Sequence, residues 1–127
     1  MDPLPRGGDL PWALFFPAPY GVGSANLGIH HVTRALRRLG VGVERFFTGP
    51  GSPYRSVDND TLLERFPVVT AGIAYENDLL EWIRWLSGAS IPLSWRERRK
   101  LPGSPVLGAG GSLTSINPLG LGDLCDF

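Results

Sequence analysis

The feature that most constrains the fold of this chain is a continuous apolar run that ends at a proline and leads through a glycine turn into an amphipathic helix. Residues 12–17 read WALFFP, the composition of a strand that is buried on both faces of a parallel sheet. Glycines follow, and between Leu27 and Leu39 apolar residues recur every three or four positions until Gly40 ends the pattern. The sequence therefore predicts a strand–turn–helix unit whose strand lies near the centre of a sheet.

The same alternation continues through the rest of the chain. A second amphipathic helix is predicted around residues 79–86 and ends at Gly88, and a short helix is predicted at 60–66. Further strands are predicted at residues 41–47, 67–75 and 104–110, and residues 123–127 resemble the opening of a fifth strand. Alternating strands and helices predict an α/β fold: a doubly wound, mostly parallel open sheet in a three-layer arrangement, flavodoxin-like or Rossmann-like.

The length of 127 residues predicts a single domain. Residues 1–11 contain three prolines and two glycines, so we expect an extended arm there and the α/β domain at 12–127. Because the last predicted strand is still running at residue 127, we expect this domain to be truncated at its carboxyl end. The run RERRK at residues 96–100 is expected to be a solvated loop without a function.

Charge and cysteine content limit the classes of function. Twelve basic and twelve acidic residues cancel, so nucleic acid and anionic membranes are not expected as partners. The single cysteine, Cys125, excludes an internal disulfide and a metal site of several thiolates within this chain. The start of the chain lacks a secretion signal and no apolar run has the length of a membrane span, which predicts a cytoplasmic location.

Three loops are expected to meet at the carboxyl ends of the strands, where open α/β sheets bind their ligands. They span residues 17–26, 75–78 and 108–119. Ser24 and Asn26 are of the types that cap helices, and the backbone N–H groups at a helix start bind oxyanions or carbonyl groups. The glycines would let a ligand approach the main chain closely. The predicted binding residues are Tyr20, Gly21, Gly23, Ser24, Asn26, Tyr75, Glu76, Gly110, Gly111 and Ser112.

Other residues in and near these loops give weaker indications of a binding or catalytic site. Gly21 and Gly23 could be the first two glycines of a dinucleotide fingerprint with Glu44 as the ribose-binding acid, but Asn26 stands where the third glycine belongs. His30 and His31 point about 100° apart on a helix and do not suit one metal ion. Trp82 and Trp85 are interpreted as packing residues, and Asp78 as a helix cap. No nucleophile with an adjacent base is visible, so no catalytic residue is predicted.

Taken together, the order of these motifs resembles the amino-terminal, cobalamin-binding-like domain of radical S-adenosylmethionine (radical SAM) proteins, nearest to an uncharacterised group in which that domain is fused to the catalytic barrel. The resemblance runs from about Trp12 to Phe127. It is carried by SANLG before the first helix, YEND after the third strand, SIPLSWRER before the fourth, and GAGGSLTSINPLGLGDLCDF at the end.

The resemblance implies which positions would contact a cofactor, and this chain departs from several of them. Typical cobalamin domains carry Asp-x-His-x-x-Gly in the first loop; here the glycine matches Gly23, but Tyr20 stands at the histidine position and Ala18 at the aspartate position. The serine after the third strand is replaced by Gly72, while Gly110 and Gly111 would line the cofactor tail. The resemblance therefore leaves two states open: cobalamin bound without an axial histidine, or a fold kept as a docking or gating surface.

The resemblance also implies that catalysis takes place elsewhere. Radical chemistry in this superfamily uses three cysteines, usually Cys-x3-Cys-x2-Cys, to hold an iron–sulfur cluster that binds S-adenosylmethionine, and this chain has one cysteine. The first hypothesis is thus an accessory domain, not catalytic alone, with a crevice for cobalamin or for the catalytic domain in cis or in trans. The alternatives are a small nucleotide-binding domain and an interaction module without a small ligand.

Overall fold

In a computed structural model, the chain is described at residues 10–19, 21, 27–49, 53–73, 76–110 and 124–126. The strands are β1 (Leu10–Phe15), β2 (Val41–Phe46), β3 (Val68–Gly72) and β4 (Val106–Gly110). The helices are α1 (Leu27–Arg38), α2 (Glu76–Gly88) and α3 (Trp95–Lys100), with a 3₁₀ turn at Leu63–Arg65. Gly40 adopts a φ of 85° just after α1, a backbone conformation that favours glycine and ends the helix as the sequence predicts.

The four strands form one parallel sheet in the order β2-β1-β3-β4. β1 therefore lies in the interior of the sheet, as its continuous apolar run predicts. From β1 the chain moves outward to β2 on one side and later to β3 and β4 on the other, so the strand order reverses between β1 and β3. This is the flavodoxin-like, doubly wound arrangement that the sequence predicts.

The two faces of the sheet bury separate apolar clusters. Alternate side chains of each strand point to opposite faces, so that Leu14 and Val43 meet α1 while Phe15 and Leu107 meet α2. The cluster on the α1 face contains the buried residues Leu14, Ile29, Val43 and Phe47. The larger cluster on the α2 face includes Phe15, Phe46, Leu63, Phe66, Val69, Ile73, Trp82, Trp85, Leu86 and Leu107. Helices on both faces make the domain three-layered.

At each outer edge of the sheet, one residue of the edge strand has both of its outward backbone groups hydrogen-bonded. Its N–H donates to an aspartate carboxylate, and its carbonyl accepts from the N–H of another segment. On β2, the Arg45 N–H donates to Asp58 Oδ2 at 2.7 Å, and the Val57 N–H donates to the Arg45 carbonyl at 2.9 Å. On β4, the Leu107 N–H donates to Asp126 Oδ2 at 2.8 Å, and the Asp126 N–H donates to the Leu107 carbonyl at 2.7 Å. These bonds occupy groups that would otherwise be open to pairing with another chain.

The start of β1 corrects the predicted boundary of the first strand. β1 begins at Leu10 rather than Trp12 and includes Pro11. Its pairing with β3 begins only at Trp12. Successive backbone N–H groups of a strand point to opposite sides. The Phe16 N–H donates to β2, so the nitrogen of Pro11, five residues earlier, points to the opposite side, where β3 has not yet begun. The missing N–H of this proline therefore removes no bond from the sheet.

Three other predictions differ from the structure. The helix predicted at residues 60–66 is a single 3₁₀ turn, Leu63–Arg65. The described residues 124–126 are not a strand, because the Asp126 carboxylate takes the place of a backbone acceptor at Leu107. The RERRK run is not a solvated loop but part of α3, capped by the Ser94 side chain, and Arg98 in it is buried.

Candidate functional site

The carboxyl edge of the sheet holds the ends of β1, β3 and β4, the strands that precede the three loops selected in the sequence analysis. In the register of the sheet Phe15 pairs with Ala71 and Gly72 with Gly110, so β1, β3 and β4 all end at this edge. The Ile73 N–H donates to the Gly110 carbonyl at 2.7 Å, which extends the contact of β3 and β4 past Gly72. The reversal of strand order lies here, between the ends of β1 and β3, and such a reversal opens a crevice in an α/β sheet.

The chain leaves β1 along the end of β2 before it turns away. The Phe16 N–H donates to the Phe46 carbonyl at 3.0 Å, and the Thr48 N–H donates to the Ala18 carbonyl at 3.0 Å. The Phe16 ring lies beside Gly72: a Cβ added at Gly72 would be 3.7 Å from Phe16 Cδ1. The aromatic ring thus borders the position at which typical cobalamin domains carry a serine.

Two of the predicted glycines have open space around them. A Cβ added at Gly21 or at Gly110 would meet no atom within 4 Å, and Gly110 is exposed at the end of β4. Neither glycine is required by crowding from a neighbour. At both positions the space that a side chain would occupy is open.

Of the ten predicted binding residues, Gly21, Glu76 and Gly110 lie in the described part of the chain. Gly110 ends β4 and Glu76 begins α2, so both lie where strands and helices meet at the carboxyl edge. The remaining predictions lie outside the described residues: Tyr20, Gly23, Ser24, Asn26, Tyr75, Gly111 and Ser112. The prediction that Asp78 caps the helix is wrong, because α2 begins two residues earlier and Asp78 lies within its first turn.

Arg45 and Arg37 hold a carboxylate on the α1 side of β2. Arg45 Nη2 donates to Asp58 Oδ1 at 2.8 Å, and Arg37 Nη2 lies 3.4 Å from the same oxygen. Burial raises the pKa of Asp58, but the hydrogen bonds and charge of Arg45, with the charge of Arg37, outweigh burial and lower this pKa below its ordinary value of 3.8. Asp58 is therefore a structural anion that fastens the loop after β2.

A second charged cluster surrounds the buried side chain of Arg98. Arg98 donates to the carbonyl groups of Pro92 and Leu93 at 2.9 Å each, to the Leu124 carbonyl, and to Asp126 Oδ2 at 3.0 Å. Residues 124–126 are thereby joined to α3 and to β4. Sequence reasoning missed this cluster, since nothing in RERRK distinguishes the buried arginine from its exposed neighbours.

Cys125 lies between Leu124 and Asp126, two of the four residues that accept hydrogen bonds from Arg98. Burial raises the pKa of its thiol to about 11, the charge of Arg98 opposes this rise, and Asp126 adds to it. A thiol with such a pKa is protonated near neutral pH and is a poor nucleophile. The residue is therefore not arranged for nucleophilic catalysis.

The tryptophans of α2 pack in the core, as the sequence analysis predicted. Trp82 is fully buried. Trp85 stacks on Phe15 with ring centroids 4.1 Å apart, and its Nε1–H donates to the Pro53 carbonyl at 2.7 Å. Tyr54 donates its hydroxyl to the Trp85 carbonyl at 2.9 Å. These contacts fasten the loop after β2 to α2 and leave neither indole free to stack on a ligand.

The residues of the nucleotide alternative are arranged differently. Glu44 lies two residues before the end of β2, and its carboxylate accepts a hydrogen bond from the Ser56 hydroxyl. A ribose-binding acid would stand at the carboxyl end of this strand. The described residues thus give the nucleotide hypothesis no support.

Within the part of the chain that the structure describes, no group of three or more His, Cys, Asp and Glu residues could hold a metal ion. No helix among the described residues is both long and apolar enough to cross a bilayer.

The fold defines the class of protein: a doubly wound α/β domain with a four-stranded parallel sheet among the described residues. Comparison with family models identifies the family, because the model described as "Radical SAM proteins, N-terminal" matches residues 41–127. The chain belongs to this family of N-terminal radical SAM domains. Searches of curated proteins and of solved structures gave no significant match.

Proposed function

We propose that this accessory domain of a radical SAM protein docks on the radical SAM catalytic domain through the carboxyl edge of its sheet. Family membership implies association with a catalytic domain. The observation that carries the proposal is the reversal of strand order between β1 and β3, at the edge where the parallel strands β1, β3 and β4 end. The crevice is the part of this edge around Phe16, Gly72 and Gly110.

The chemistry of the crevice suits docking better than catalysis. Its described residues present an aromatic ring at Phe16 and an exposed glycine at Gly110 with open space where a Cβ would lie. Both α1 and α2 begin at this edge, because each follows a strand that ends there, and the partial positive charge of a helix start attracts carbonyl groups and carboxylates. A partner surface with backbone carbonyls or acidic side chains would complement the crevice, and the radical chemistry itself belongs to the partner's cluster.

Cobalamin is the second candidate occupant, and the open space beside Gly21 and Gly110 favours it. Ala18 and Gly72 stand at the aspartate and serine positions of typical cobalamin domains and have no polar side chain. A bound corrinoid would therefore lack these two polar contacts. When bound, it would supply methyl-transfer or radical chemistry; this chain would hold its periphery.

The docking proposal is tested with two tryptophan variants at opposite ends of β4. Gly110→Trp places a bulky side chain in the crevice, and Val106→Trp places one on the same face of β4 at the amino edge, where Val106 is 43 % exposed. Affinity for a purified radical SAM catalytic domain from the same source is measured by calorimetry. We expect Gly110→Trp to weaken binding at least about tenfold, which is about 1.4 kcal/mol, and Val106→Trp to leave it unchanged.

The outcomes of this experiment separate the candidates. Equal loss of affinity in both variants, with unchanged melting temperatures, would contradict docking through the carboxyl edge. Cobalamin is tested by adding it to the 127-residue chain. Visible absorbance bands that remain with the protein after gel filtration, and that Gly110→Trp abolishes, support the cofactor; a protein without such bands contradicts it.

A further inference from the structure

A cavity lies at the opposite, amino edge of the sheet and has no part in the proposed docking. Its volume is about 500 Å³, within the range of specific binding sites. Its walls come from the loop before β3, from the segment after α2 and from the turn before β4; they include Leu62, Phe66, Ile91, Leu101 and Pro105. Tyr54, Ser90 and Ser104 add a few polar groups to this apolar wall.

The cavity lies close to the point where the chain enters β1. Trp12 pairs with Val68, and Val68 pairs with Val106. Because neighbouring strands are about 4.8 Å apart, Trp12 lies roughly 10 Å from Val106, which directly follows the cavity residues Ser104 and Pro105. Leu10 lies two residues farther out at the same edge. The nine residues before Leu10 can span up to about 30 Å when extended, which is ample to reach the cavity.

We propose that residues 1–9 bind in this cavity, with Leu4 as the buried anchor. The segment reads MDPLPRGGD, so Leu4 stands between two prolines that favour an extended, pre-ordered backbone. An extended apolar segment of this kind suits a wall of leucine, isoleucine and proline side chains. Binding also costs less entropy for a segment that is already covalently attached than for a separate molecule.

One of the three charged residues of this segment is opposite in sign to the charge at the rim of the cavity. Glu64 lines the cavity and is exposed, and Arg6 is the one basic residue among residues 1–9. With Leu4 in the cavity, Arg6 lies two residues farther along and reaches the rim at Glu64. An exposed ion pair of this kind adds orientation more than affinity.

The test is methyl NMR on the 127-residue chain with labelled isoleucine and leucine. Ile91 lines the cavity, whereas Ile29 is buried on the opposite face under α1. We expect cross-relaxation between Leu4 and Ile91 methyl groups. Leu4→Asp should shift the Ile91 methyl resonances and leave those of Ile29 in place. The matched control Val32→Asp, at a residue of α1 that is 46 % exposed, should do the reverse.

A second variant keeps the proposal falsifiable if Leu4→Asp has a small effect. Ser104→Trp fills the cavity, and the signals between Leu4 and Ile91 should then disappear while the Ile29 resonances stay unchanged. Absence of any Leu4–Ile91 contact in the unaltered chain would overturn the proposal. So would contacts that appear only between labelled and unlabelled chains in a mixed sample, because the occupant would then be a second copy.

Discussion

At the residue scale, Gly88 shows how one position can be fixed by a distant side chain. Gly88 is the last residue of α2, and a Cβ built there would overlap the hydroxyl of Tyr54. That hydroxyl is held in place by its hydrogen bond to the Trp85 carbonyl. The glycine is therefore required by tertiary packing and not by its own backbone conformation.

Gly88→Ala should thus destabilise the domain, although glycine-to-alanine changes in helices ordinarily stabilise by about 0.5–1 kcal/mol. We expect a loss of about 1–2 kcal/mol, of the size that overpacking produces. In the Tyr54→Phe background the added Cβ no longer meets a hydroxyl, and the same change should cost clearly less. Chemical denaturation of the unaltered chain, the two single variants and the double variant gives the coupling free energy between positions 54 and 88. Additive changes in the free energy of unfolding would contradict the contact between Gly88 and the Tyr54 hydroxyl.

The reactivity of Cys125 follows from its surroundings. With a thiol pKa of about 11, the thiolate fraction at pH 8 is far below that of an ordinary cysteine, and the stronger nucleophilicity of a basic thiolate compensates only in part. Alkylation of the folded chain should be at least about tenfold slower than alkylation of the same chain in denaturant. Equal rates at pH 8, followed by mass spectrometry, would contradict a buried thiol.

At the element scale, both edge strands are covered by an aspartate that an arginine also holds. Asp58 is held by Arg45 and Arg37 at β2, and Asp126 by Arg98 at β4. Each carboxylate accepts a backbone N–H of its edge strand. Two segments that contribute no strand among the described residues thereby protect the two sides of the sheet.

Removal of the Asp58 charge should weaken the β2 edge in a pH-dependent manner. The pKa of Asp58 is lowered in the folded chain, so its contribution is present above the unfolded pKa of about 3.9 and is lost as the pH falls through the lower folded pKa. We expect Asp58→Asn to cost about 2 kcal/mol at pH 7 and progressively less below pH 4. Asp60→Asn, at a largely exposed carboxylate, is the control; equal profiles for the two variants would contradict the assignment.

Arg98 should stabilise the β4 edge of the sheet by holding Asp126 against it. Arg98→Met removes the hydrogen bonds that Arg98 donates to the Asp126 carboxylate and to the carbonyl groups of residues 92, 93 and 124. Removing one partner of a buried ion pair costs about 3 kcal/mol or more. The neighbouring Arg99→Met, at an exposed side chain that lies over Trp95, should cost less than about 1 kcal/mol. Hydrogen exchange should report faster opening at the Leu107 amide in Arg98→Met alone.

At the scale of the whole molecule, one sheet joins two separate apolar clusters. The α1 cluster and the α2 cluster have no buried residue in common, yet both are formed by the same strands. The clusters should therefore contribute independently to stability but unfold together.

Two matched truncations examine this arrangement. Ile29→Val removes one methyl group from the α1 cluster and Ile73→Val removes one from the α2 cluster. Each should cost about 1 kcal/mol, and the double variant should show the sum within about 0.5 kcal/mol in a single transition. A biphasic denaturation curve, or coupling above that limit, would contradict two independent clusters on one cooperative sheet.

The sequence by itself determined the parallel sheet, the central place of the first strand and the helix end at Gly40. These features depend on the spacing of apolar residues and on local backbone preferences, both of which can be read from short stretches of sequence. It also identified the family, and the carboxyl edge as the place to look for a site. All ten of its site residues remain predictions, and seven of them lie outside the described part of the chain.

The tertiary structure alone decided which charged residues are buried and how the edges of the sheet are covered. Arg98 and Arg99 stand side by side in the same run, yet only Arg98 meets Asp126, 28 residues away. The strand pairing at Pro11, the hydroxyl over Gly88 and the cavity at the amino edge also arise from segments that are distant in sequence. Such contacts depend on which elements the fold brings together, and no local pattern encodes that.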